Sequence, residues 1–146
     1  MWALKLCGLL AALPLIASAA DPIKSNNSGW STNPSINTSP VHVTLLQLLT
    51  NPVPYDQRYI QLMGVLSVDF EDNRLYFSKE FFDAFYPEYA VEIKLPSGAL
   101  AASTRFQGKY VVLAGTFTLQ AGAFSHGLLD VTSMKIAEQP RKAKSK

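Results

Sequence analysis

Tyr55-Asp56-Gln57-Arg58-Tyr59-Ile60-Gln61-Leu62-Met63-Gly64-Val65-Leu66 decides how this 146-residue chain is read, because Phe106-Gln107-Gly108-Lys109-Tyr110-Val111-Val112-Leu113-Ala114-Gly115-Thr116-Phe117 echoes it. Aromatic residue, basic residue, tyrosine, apolar pair and glycine recur in register. In the first copy Ile60, Leu62, Leu66, Val68 and Phe70 are apolar at every second position, and in the second Val111, Leu113, Phe117 and Leu119 are. Period two is the signature of a strand with one buried face, so each copy reads as a turn feeding a long strand. Gly64 and Gly115 fall on the inward side, where a glycine marks a bulge or a sharp coil that lets one strand bend round a small barrel.

The neighbouring segments complete a five-stranded pattern. After a polar turn at Glu71-Asp72-Asn73, Leu75-Tyr76-Phe77 returns as the second strand of a hairpin. Tyr89 to Leu95 alternates cleanly, odd residues inward and Glu92 and Lys94 outward, and reads as the third strand. The second copy is the fourth. The fifth runs from Leu128 to Ile136, and its inward set shifts from Leu129 and Val131 to Met134 and Ile136, which predicts a bulge near Thr132-Ser133. Short helices fit the connections. Thr44 with Gln47 forms a possible capping box ahead of Leu45, Leu48 and Leu49, with Asn51-Pro52 as the stop. Ser78 is placed to cap a helix from Lys79 to about Tyr86 that carries Phe81, Phe82 and Phe85 at helical spacing, as core aromatics or as a lid over a ligand. Residues 99–104 read as a loop or single helical turn.

An all-β chain with short helices, five strands and glycine bends in the first and fourth resembles the OB-fold, a partly open Greek-key barrel. At motif level, Tyr55-Asp56-x-Arg58-Tyr59 followed by Leu62-x-Gly64, and Phe106-x-Gly108-Lys109-Tyr110-Val111 followed by Leu113-x-Gly115, are similar to secreted bacterial OB-fold proteins of unassigned role. The likeness spans residues 43–137. It implies a fold and no catalytic residue, because these barrels host protein, nucleic-acid and sugar ligands alike.

Composition, 48% hydrophobic and 16% charged, is that of a globular domain. Residues 1–20 read as a secretory signal peptide: Lys5, an apolar run over residues 6–16, and small residues before Asp21. That run falls short of the ~20 apolar residues of a spanning helix and contains Pro14, so no transmembrane segment is expected in the mature chain. The lone cysteine, Cys7, lies within it, which removes disulfides, thiolate metal sites and cysteine nucleophiles from the mature protein. Residues 21–42, rich in Ser, Asn, Thr and Pro, read as a flexible linker with Trp30 as its one large apolar residue, residues 43–138 as the barrel domain, and residues 139–146 as a basic disordered tail. Between Asp21 and Pro140 eight basic residues face eleven acidic ones, a net charge of −3 that does not attract phosphate backbones.

Catalytic and metal chemistry leaves little trace. His42 and His126 have no partner at ligand spacing, Ser125-His126 are adjacent in an extended segment, and Asp69, Glu71, Asp72 and Asn73 lack the glycine and distal glutamate of a calcium loop. No enzyme activity, cofactor or metal is expected. The expected function is an exported binding module, periplasmic or extracellular, that recognises a protein or cell-envelope component through the outer face of strands one to three. The candidate contact residues are Tyr59, Gln61, Met63, Tyr76, Glu92 and Lys94, aromatic, methionine and polar side chains that suit a recognition surface. The alternative is a single-stranded nucleic-acid or oligosaccharide binder, with bases stacking on Tyr59 and Tyr76. Nearby Asp69, Glu71, Asp72 and Glu92 disfavour nucleic acid.

Overall fold

The computed structural model describes residues 24–26, 28–32, 39–69, 72–120 and 126–137. The signal-peptide and basic-tail readings fall outside them. The two copies of the repeat form strands β4 (Tyr59–Ser67) and β7 (Tyr110–Thr118), named in chain order, and they pair antiparallel with each other. Leu62 lies opposite Leu113, its own equivalent in the second copy, so the repeat is arranged about a local twofold at a fully buried leucine pair.

Closure follows from strands that pair on both edges. Strand β4 bonds β7 along one edge and β5 (Arg74–Tyr76) along the other; β5 pairs antiparallel with β6 (Ala90–Lys94). Strand β6 runs parallel to the start of β8 (Leu128–Ile136), and β8 returns antiparallel to β7. The circuit β4-β5-β6-β8-β7-β4 is a closed five-stranded Greek-key barrel of OB type. Ile60, Leu62, Leu66, Leu75, Val91, Ile93, Val111, Leu113, Phe117, Leu129, Val131 and Met134 fill it. Each buried aliphatic side chain contributes about 1.5–3 kcal/mol relative to exposure. Leu119, expected inside, is exposed beyond the end of β7.

The glycines act differently from one another. Pairing along β4 is regular through Gly64, so no bulge forms there; instead a Cβ at Gly64 would lie 2.5 Å from the Tyr76 carbonyl oxygen and 2.7 Å from Leu45 Cδ1. At Gly115 the β7–β8 register does slip: Ala114 faces Ser133 while Gly115 faces Val131, leaving Thr132 as the extra residue. A Cβ at Gly115 would lie 2.2 Å from the Asp130 carbonyl oxygen. The bulge also marks a change of partner, since β8 pairs with β6 before Thr132 and with another strand after it.

That other strand corrects the linker reading. Within residues 21–42 the structure places β1 (Lys24–Asn26), β2 (Gly29–Ser31) and β3 (Val41–His42). Strands β1 and β2 form a hairpin whose second strand pairs with Ser133–Lys135 of β8, and β3 runs parallel to β4 at Ile60 and Gln61. Trp30 is 3% exposed, and its indole N–H donates to the Ser103 hydroxyl at 3.0 Å in the core. Residues 28–32 of this polar stretch are held because β8 offers a free edge and the core takes the Trp30 ring. The helices are short. In α1 (Leu45–Thr50) the capping box forms, Gln47 N–H to Thr44 Oγ1 at 3.2 Å and Thr44 N–H to Gln47 Oε1 at 3.0 Å, and Leu45 and Leu48 are buried. Helix α2 spans Lys79–Asp83, and α3 spans Ala99–Thr104.

Alanine at Gly64 or Gly115 meets backbone oxygens that cannot yield, so each variant should lose about 2 kcal/mol or more of stability. Urea midpoints measure it, and tolerance of either substitution would refute the close-approach account. Trp30→Phe strands the buried Ser103 hydroxyl and should cost about 1–3 kcal/mol. Trp30→Ala should cost about 3–5 kcal/mol. Neutral results in the same denaturation series would restore the linker reading.

Candidate functional site

The six side chains expected to form one contact surface are divided among three places. Tyr59, Gln61 and Met63 share the outer face of β4. Tyr59 is tied down: the Thr132 hydroxyl donates to the Ala114 carbonyl at 3.1 Å, so the Tyr59 phenol, 3.1 Å from Thr132 Oγ1, is the donor to that oxygen. Gln61 Nε2 donates to His42 Nδ1 at 3.2 Å. Met63 is 58% exposed beside them, and His42, Gln61, Met63 and Val112 border a shallow groove of about 300 Å³. Glu92 and Lys94 lie on β6, away from this group. Lys94 pairs with Asp130 at 3.3 Å, and Glu92 and Lys94 line an open cleft of about 390 Å³ with Asn73, Pro96, Leu100 and Leu128. The Asn73 side-chain oxygen is buried without a hydrogen-bond partner among the described residues.

Tyr76 is not a surface residue, which corrects its place in the candidate set. It points away from the barrel interior, yet it is buried because α2 covers it. Val65, Tyr76 and Ala90 form a second, smaller core on the outside of the barrel, closed by Phe81, Phe82 and Tyr110. Phe82 meets Tyr76 edge to face at 5.7 Å between ring centres. Burial raises the Tyr76 phenol pKa, partly offset by Arg74, so no charge or stacking face is presented to solvent here.

What α2 presents outward is aromatic. Phe81 stacks on Tyr89 with ring centres 4.1 Å apart and planes 16° from parallel; Phe77 and Tyr86 flank it at 6.2 and 6.4 Å. Phe77, Phe85, Tyr86 and Tyr89 are all exposed. Phe85 is 76% exposed, where helical spacing had placed it among core aromatics. The cause is where the helix stops. Asp83 is its last residue and Ala84 its cap, so Phe85 falls in the position after the cap, and its φ of 54° is left-handed. Tyr86 N–H bonds the Phe81 carbonyl at 3.1 Å and Phe85 N–H the Phe82 carbonyl at 3.3 Å, the paired bonds of a Schellman turn. Glycine is the usual occupant of that slot, because a Cβ in the left-handed region costs about 1–2 kcal/mol. Phe85 thus occupies a strained position with most of its ring in solvent and little packing to offset the strain.

Charges surround the rings unevenly. Lys79 pairs with Asp83 and lies 5.0 Å above the Phe82 ring. The Glu80 carboxylate is held below its usual pKa by the Ser78 hydroxyl and then by its own backbone amide. Glu88 is exposed, and its carbonyl oxygen accepts from His126 Nε2 at 3.2 Å. Elsewhere Arg74 closes on Asp72 through contacts of 2.7 and 2.8 Å, so Asp72 of the hairpin acidic cluster is engaged in an ion pair. Among the described residues no three His, Cys, Asp or Glu side chains converge as a metal site would require, and no helix is long and apolar enough to cross a membrane.

The architecture defines the chain as a small OB-type barrel bearing an exposed aromatic lobe between its second and third barrel strands. No family model matches the sequence, and no curated protein matches it. Among solved structures, a DUF3299 family protein from Pseudomonas aeruginosa PAO1 is similar at 11% identity and a TM-score of 0.47, over 70% of this chain and 99% of that one. A Leishmania major Friedlin protein assigned as an aspartyl-tRNA synthetase is similar at 12% identity and a TM-score of 0.45, over 76% of this chain; the match spans 23% of the synthetase's length.

Replacing Phe85 by glycine relieves the left-handed strain but adds freedom to the unfolded chain, a smaller opposing effect. The variant should gain about 0.5–1 kcal/mol, a rise in Tm of several degrees. A scanning-calorimetry Tm at or below wild type would show that the ring supports the fold.

Proposed function

We propose that this protein is an exported, non-enzymatic binding module that recognises a protein component of the cell envelope or its surroundings through the aromatic lobe. The observation that carries the reading is the strained, solvent-exposed Phe85, in a connection where Phe77, Tyr86 and Tyr89 are exposed as well. Exposed aromatic groups on a rigid base are the residues that supply most of the free energy at protein interfaces. The leader-like residues 1–20 support export. The reading moves the contact surface from the outer face of β4 and β6 to the connection between β5 and β6. The nucleic-acid alternative loses one of its two stacking rings, Tyr76, to the outer core, and its other, Tyr59, is hydrogen-bonded to Thr132.

A photoreactive phenylalanine analogue placed at Phe85, and in a parallel strain at Met63, tests the assignment in intact cells of the source organism. Illumination should yield protein adducts from position 85 and none from position 63. Adducts confined to position 63 would return the site to β4, and none from either position would remove the support for a protein ligand.

A further inference from the structure

We infer that the lobe receives an extended, basic segment of a partner protein, an inference that rests on the lobe being the binding surface. The first argument is charge. Residues 77–89 carry Glu80, Asp83 and Glu88 against Lys79, and Lys79 is engaged by Asp83 and by the Phe82 ring. Glu80 and Glu88 are exposed, so the segment presents a surplus of negative charge around its rings. His126 reaches the Glu88 carbonyl, and Lys109 lines a groove with Lys79 near the start of α2, so the cations nearby sit at the margins of the lobe.

The second argument is ring chemistry. An aromatic face carries the negative pole of its quadrupole outward and attracts ammonium and guanidinium groups. Lys79 above Phe82 is an instance of this contact within the lobe itself. The third is spacing. Phe77 and Tyr86 lie 6.2 and 6.4 Å from Phe81, close to the repeat of about 6.6 Å between side chains on one face of an extended segment, so neighbouring rings are spaced as alternate residues of a strand-like peptide are. A guanidinium that meets both a ring face and a carboxylate gains from each. An anionic partner, whether nucleic acid or acidic lipid, meets the carboxylates with like charge.

The test is a fluorescence-anisotropy titration of the purified protein, produced from the full-length chain, with four probes: a hexapeptide alternating arginine and leucine, its glutamate counterpart, oligo-dT, and phosphatidylglycerol vesicles. The arginine peptide should bind and the other three should not. Phe85→Gly, which should fold at least as well as wild type, is expected to weaken that binding by about tenfold or more. Glu80→Gln with Glu88→Gln should weaken it several-fold and flatten its decline with salt, since screened surface charges supply the difference. Failure of the arginine peptide to bind, equal binding of the glutamate peptide, or tighter binding of oligo-dT or vesicles overturns the inference. Photo-adducts at position 85 together with any of those results overturn the charge assignment and leave the lobe as the contact surface. Arginine-peptide binding that Phe85→Gly leaves unchanged removes the lobe reading as well.

Discussion

One backbone contact decides whether this sequence forms a barrel: the approach of β4 at Gly64 to the carbonyl oxygen of Tyr76. A five-stranded wall closes only if its first strand bonds neighbours on both edges, and β4 must hand its free edge from β3 to β5 within a few residues. At that handover three things crowd one point, the end of β5, the Leu45 side chain and the strand itself. A side chain there would hold β5 off and leave the barrel open along that seam. Gly115 solves the matching problem on β7, where the bulge at Thr132 brings the Asp130 carbonyl against the strand. Related positions in the repeat therefore need glycine for steric reasons that differ in detail.

Closure also fixes what lies outside the wall. Because β5 is held against β4, the outward residues Val65, Tyr76 and Ala90 form an apolar shelf, and α2 settles on it with Phe81 and Phe82. A five-residue helix has little stability of its own, so its position depends on that shelf. The helix is too short to carry Phe85 inward, and the turn that ends it lifts the ring into solvent. Strain in an exposed residue serves no packing purpose, which is why the proposed function centres on Phe85. The aromatic lobe is in this sense a product of barrel closure: the shelf supports it, and under the proposed function a supported lobe lowers the ordering entropy of binding.

Much of the barrel was legible in the residues. Period-two alternation located all five strands, the Thr44–Gln47 pair marked the start of α1, and the shift of the inward set in the last strand placed the bulge beside Thr132. Local patterns carry this information because strand parity and capping depend on near neighbours. What was not legible depends on distant ones. Trp30 is held by Ser103, 73 residues away, and nothing in a Ser- and Asn-rich stretch announces that partner. Tyr76 and Val65 obey strand parity as outward residues, and parity is silent about a helix laid over the outer face. Phe85 keeps helical spacing with Phe81 and Phe82, but the helix ends two residues before it. The signal that could have found it is a bulky residue two places ahead of Pro87, where a helix is already required to stop.

The scattering of the six candidate contact residues follows from geometry. All six are outward residues of three adjacent strands, which share a face on a flat sheet. On a closed wall strands turn through the full circle, so Met63 on β4 and Lys94 on β6 face different directions, and Lys94 is engaged by Asp130 of β8. A strongly curved surface cannot spread a wide contact area across several strands. Under the proposed function a small barrel gains a broad recognition surface by projecting a connection beyond the wall, and the connection between β5 and β6 is where this chain has both an apolar shelf beneath and exposed aromatic rings above.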